Sequence, residues 1–87
     1  MVVGDADEIE ALARTVQAAM EEAREAVQRA GGQLRNASSW QDRKHEEVCE
    51  AYEQAAAAAL RAIEPVDGDV VQRMFRIAQA IRDAENA

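Results

Sequence analysis

From Asp7 onward, apolar residues recur at Ile9, Leu12, Val16, Met20, Ala23, Val27, Ala30 and Leu34, with Ala19 as an alternative to Met20. Steps of three and four residues keep one stripe on one side of an α-helix, so the pattern predicts an amphipathic helix over about 6–36. Asp5 or Asp7 can cap its start, and Glu8 and Glu10 lie where the helix dipole favours anions. Gly31 and Gly32 weaken its last turns by roughly 2 kcal/mol relative to alanine, and their lack of bulk suits a close neighbour. A polar turn at about 37–39 follows.

A second helix is expected over about 40–64, opened by Ser39 in a capping box whose acidic member is Asp42. Its buried stripe is predicted at Val48, Ala51 with Tyr52, Ala55, Ala59 and Ile63. The run Ala55 to Ala59 combines high helix propensity with little bulk, which lets a neighbouring helix approach closely. The segment Glu-Pro-Val-Asp-Gly-Asp, from Glu64 to Asp69, breaks the pattern at 65–68: Pro65 lacks a donor, Gly68 loosens the chain, Asp67 can cap anew and Val66 can staple onto Val71. Over about 69–85, apolar residues spaced at four and three define a third helical segment.

 The register residues of that segment are thus Val70, Met74, Ile77, Ile81 and Ala84, with Val71, Phe75 and Ala78 widening the face. No strand signal and no internal repeat occurs. The fold class is all-α, a single helical domain over 1–87. Two long helices form an antiparallel hairpin, and a kinked or separate third segment either prolongs the second helix or folds back. Pairing into a four-helix-bundle-like dimer is expected.

Composition sharpens this picture. Much of the 48% hydrophobic content is alanine, which buries little area per residue, so the core of an 87-residue chain will be thin and a partner can complete it. The net charge of −7 argues against phosphate backbones and against nucleic acid as a partner. No apolar run is long enough for membrane insertion, and the opening Met-Val-Val-Gly-Asp-Ala-Asp-Glu-Ile-Glu lacks the basic and apolar regions of a signal peptide. The expected place of synthesis is the cytoplasm, and any secretion would proceed without a cleavable signal peptide. Cys49 is the only cysteine, so no intrachain disulfide can form.

Candidate chemistry is sparse. His45 and Cys49 share a helix face, with Glu53 one turn further, and could supply part of a Zn²⁺ shell. No second His/Cys cluster completes it, and the favoured reading is a solvated His45 beside a half-buried Cys49. Ser38, Ser39 and Cys49 have no identifiable orienting partner or oxyanion site, and Ala-Gly-Gly-Gln does not follow a strand. The chain reads as a non-enzyme with no cofactor.

Trp40 stands at the turn between the two amphipathic helices. Taken alone it suits a core residue covering the hairpin turn. Together with the chain length, the helical hairpin and Val48 eight positions later, it resembles the Trp-x-Gly (WXG) family of type VII secretion proteins. The Gly position of the motif is Asp42, and the family's C-terminal Tyr-x-x-x-Asp/Glu signal has no close counterpart in Phe75–Gln79 or in the run from Tyr52. The resemblance implies a small bacterial protein that forms a homodimer, or a heterodimer with a similar helical protein or effector. It would be exported folded or serve as an export partner, the latter favoured by the missing signal. Trp40 and Asp42 would then belong to a recognition patch. Ile9, Leu12, Val16, Met20, Val48, Ala55 and Ala59 would carry the pairing face. The alternatives are a cytosolic helical-bundle adaptor or regulatory subunit and, less favoured, a small metal-binding protein.

Overall fold

A computed structural model describes residues 4–86; residues 1–3 of the opening run and residue 87 lie outside the described part. Helix α1 spans Ala6–Arg35, and a short connection leads to α2 at Arg43–Pro65. A π-helical turn, Val66–Val71, joins α2 directly to α3, Gln72–Glu85. The described residues contain no strand, and α2, the π-turn and α3 run back along α1 as one arm of an antiparallel hairpin.

The termini follow from local hydrogen bonding. The Asp5 carboxylate accepts from the amides of Asp7 at 2.9 Å and Glu8 at 3.4 Å, which satisfies donors that the first helical turn leaves free. Helix α2 starts three residues later than the sequence pattern suggests. Asp42, rather than Ser39, is its N-cap, and its side chain accepts from the His45 amide at 2.9 Å. The expected break at 65–68 is absent. Pro65 removes one helical hydrogen bond, and the chain absorbs the disturbance by widening to a π-turn that keeps the helix axis going. Asp67 therefore caps no new helix; it lies within the π-turn and pairs with Arg24.

The π-turn accommodates one extra residue in an otherwise heptad-spaced arm. Cys49, Ala56 and Ile63 follow at intervals of seven, Val71 comes eight after Ile63, and Ala78 seven after that. All five turn at least partly away from solvent. A plain α-helix would carry Val71 and Ala78 about 100° round from the seam for each added residue. The wider turn takes up that rotation.

The seam is thin. Its fully covered apolar residues are Ala6, Ala13, Cys49, Val71 and Ala78, three of them alanine. In α2 the seam runs through His45, Cys49, Tyr52, Ala56, Leu60 and Ile63, so Val48, Ala51, Ala55 and Ala59 are exposed, contrary to the predicted stripe. Leu12 likewise lies outside the seam, where Ala13 takes its place, while Ile9, Val16 and Met20 are half-buried as the pattern requires. Gly31 allows the close approach expected of it: a Cβ there would lie 3.1 Å from the Tyr52 ring. Gly32 faces open space and plays no such part.

Candidate interaction surfaces

At the turn, the two helix ends are tied together by contacts between Leu34 and residues eleven and fifteen positions later. The carbonyl of Leu34 is among the last of α1, and the connection offers it only a long backbone hydrogen bond, from the Ala37 amide at 3.5 Å. His45 Nε2 lies 2.7 Å from it, so a proton on that nitrogen closes the C-terminus of α1 from the first turn of α2. Cys49 Sγ sits 3.4 Å from the same nitrogen. His45 is buried rather than solvated, and Cys49 is fully rather than half-buried, because the end of α1 covers both.

Trp40 packs edge to face on His45, with ring centroids 5.0 Å apart, yet remains 40% exposed. One edge thus seals the turn, as the packing reading requires, while the rest of the indole faces outward. Asp42 is engaged as a cap beside it. No group of three or more His, Cys, Asp or Glu side chains suited to a metal ion occurs among the described residues, and Glu53 is drawn instead to Arg35 at 2.6 Å.

The flanks of the hairpin differ sharply. On one side the arms are joined by ion pairs: Arg82 with Glu10 and Asp7 at the open end, Arg24 with Asp67 at 2.5 Å in the middle, and Arg35 with Glu53 and Glu46 near the turn. Arg14 also stands over the Phe75 ring on this side. The hydrogen bond from Arg82 holds the Glu10 carboxyl below its ordinary pKa of 4.5, against a partial desolvation that pushes the other way. The guanidinium groups of Arg24, Arg35 and Arg82 are shifted upward, first by hydrogen bonds to Asp67, Glu53 and Glu10 respectively.

The opposite flank carries almost no charge. Because residues advance by about 100° each round a helix, Leu12, Ala19 and Ala26 lie on the side of α1 turned away from Glu10, Arg14 and Arg24. The corresponding side of the second arm presents Val48, Ala55, Ala62, Val70 and Ile77. These two strips fall on the same side of the hairpin, since the ion-paired strips share the other. Their intervals of seven, seven, eight and seven residues place the single eight across the π-turn, so the extra residue preserves this face as well as the seam. Leu12 is 50% and Ile77 53% exposed, so both lie outside the seam.

The structure separates the residues that the sequence pattern grouped on one pairing face. Of the residues expected to pair with a partner, Leu12, Val48, Ala55 and Ala59 are on the exposed face, Ile9, Val16 and Met20 line the seam, and Trp40 and Asp42 stand apart at the turn. Ala62, Val70 and Ile77 extend the surface beyond that expectation; their seven- and eight-residue spacing along the second arm from Val48 and Ala55 is the signal that could have located them. Compared with known protein families, curated proteins and solved structures, the chain matches none.

Proposed function

We propose that this protein is a non-enzymatic helical interaction module whose uncharged flank pairs with another helical protein, in the manner of a WXG-like type VII secretion substrate or export partner. The observation that carries the reading is the segregation of the hairpin: all interarm ion pairs among the described residues lie on one side, and a strip of alanine and larger aliphatic residues runs along the other. Apolar surface continued along both arms gains free energy when water is displaced from it. A rod with this distribution of side chains is half of a helical bundle.

The outward part of Trp40 supports the secretion-related form of the proposal, as an aromatic anchor at the turn beside Asp42. In that reading the protein is bacterial, is made in the cytoplasm and leaves it, if it is a substrate, in folded form. Among the described residues no helix is long and apolar enough to cross a membrane.

The test is isolation of the tagged chain from its native host, identification of the bound protein by mass spectrometry, and repetition with Ala55→Glu and Trp40→Ala. A helical partner encoded beside a secretion ATPase, lost with either variant, supports the proposal in full. A helical partner lost only with Ala55→Glu, and unconnected with secretion, leaves the cytosolic adaptor in its place. Binding indifferent to Ala55→Glu refutes the role of the flank.

A further inference from the structure

Helix α3 carries adjoining apolar strips offset by one residue, and only one of them can face α1 at a time. Val71 and Ala78 fill the seam, with Phe75 half-buried under Arg14, while Val70 and Ile77 lie next to them on the uncharged flank, 46% and 53% exposed. The strip in the seam is the smaller one. Counted onward from Ile63 by unbroken sevens, as a plain α-helix counts, the seam would instead pass through Val70, Ile77 and Ala84, with Met74 and Ile81 beside it. Every one of these residues is apolar.

Resting on the proposed pairing role, we infer that the π-turn is a register switch: converting Val66–Val71 to ordinary α-helix turns α3 by about 100° and withdraws its half of the pairing flank. Each residue of α3 then takes the place of the one after it. Val70 and Ile77 replace Val71 and Ala78, so the branched side chain of an isoleucine fills the seam where a methyl group now lies. On the flank, Asp69 and Arg76, both now exposed, come to the places of Val70 and Ile77. The flank is continuous in one register and interrupted by charge in the other.

Ionic contacts hold the register that is observed. Arg82 pairs with Glu10 and, at 2.6 Å, with Asp7, and the turn of α3 would put Ile81 in its place. Within the π-turn Arg24 holds Asp67 at 2.5 Å, leaving the second carboxylate oxygen, Oδ1, buried with no hydrogen-bond partner in the protein. Against these pairs stands the larger apolar strip. Arrangements that exchange ion pairs for aliphatic burial make a bistable element, and screening of the pairs, or capture of Arg82 by another anion, biases it toward the withdrawn flank.

Hydroxyl-radical footprinting of the full chain, read residue by residue by mass spectrometry, follows the register, because the rotation exposes Phe75 and covers Ile77. Losing a charge-assisted hydrogen bond should shift the equilibrium roughly tenfold in Arg82→Gln, and further when Arg24→Gln is added. In that double variant Phe75 should become more reactive and Ile77 less. Deleting Gly68 from it should restore the wild-type footprint, since the present seam then lies on an unbroken α-helix. If both residues become reactive, α3 has left α1 instead of turning, and the switch is refuted; unchanged reactivity, or the same change without Gly68, refutes it as well. The partner isolated with the tagged wild-type chain should be lost from the double variant and regained when Gly68 is deleted. A footprint that switches while binding is unaffected keeps the switch and removes the flank as the pairing face. A footprint that does not switch, while Ala55→Glu still releases the partner, removes the switch and keeps the pairing role.

Discussion

Gly31 and Gly32 are neighbours in the same turn of α1, which makes them a controlled pair for measuring how closely the arms approach. Alanine at either site should gain about 0.8–1.0 kcal/mol of helix propensity. At position 32 a new methyl group meets nothing within 4 Å, so that gain should appear nearly in full. At position 31 the methyl carbon would stand 3.1 Å from Tyr52 Cε1 and 3.7 Å from Cδ1, too close for the ring to stay where it is. The ring is not free to retreat, because its hydroxyl donates to the Val27 carbonyl at 2.6 Å, one turn before Gly31. Moving it strains or breaks a hydrogen bond worth about 0.5–1.5 kcal/mol net, enough to cancel the propensity gain. Gly32→Ala should therefore raise the melting temperature by roughly 4–8 °C, the shift expected for about 1 kcal/mol in a domain of this size, and Gly31→Ala should leave it unchanged or lower. Thermal melts followed by circular dichroism at one fixed protein concentration provide the comparison. Repeating both substitutions on Tyr52→Ala should erase the difference between them. Equal stabilisation by the two alanines in the native background would refute the close contact.

Three further perturbations have expected outcomes. Asp42→Ala should cost about 0.5–2 kcal/mol in chemical denaturation and Ser39→Ala almost nothing, since Asp42 alone caps α2; the reverse order would restore the capping box. The lowered pKa of Glu10 contributes stability above its ordinary value of 4.5 that is lost as pH falls through the still lower folded value, so Glu10→Gln should flatten the acid end of a stability profile; an unchanged acid limb would show that the Arg82 contact does not matter. Deleting Gly68 should convert the π-turn to ordinary helix without loss of melting temperature, because Val70, Val71, Ile77 and Ala78 then return to unbroken heptad spacing. Adding an alanine after Gly68 should be strongly destabilising, and similar melting temperatures for the deletion and the insertion would refute the register argument.

The two long arms were legible because three- and four-residue spacing survives any ambiguity about which side of a helix is covered. The path through Pro65 was not. A proline followed by Val-Asp-Gly-Asp offers the same local signals for a turn and for a widened helix, and the choice rests on the contacts that α3 gains by continuing along α1. His45 was misread for a related reason. Its sequence neighbours are charged, and only the arrival of the Leu34 carbonyl from the other arm makes its burial favourable, by giving the ring nitrogen a hydrogen-bond partner.

The exposed face explains why the buried stripe of α2, correct at Tyr52 and Ile63, was placed one position off at Val48, Ala55 and Ala59. Two apolar strips adjoin on this helix: Cys49, Ala56 and Ile63 in the seam, and Val48, Ala55 and Ala62 beside them, each with the same period. A period locates a strip only up to rotation, and larger residues attract the assignment; Val48 outranks its neighbour Cys49 on bulk but lies outside the seam. A helix that needed only one neighbour would have charge in the second strip. This strip stays uncharged on both arms, and the chain spends its one extra residue where a π-turn keeps it in phase, which is the pattern the proposed pairing of the flank requires.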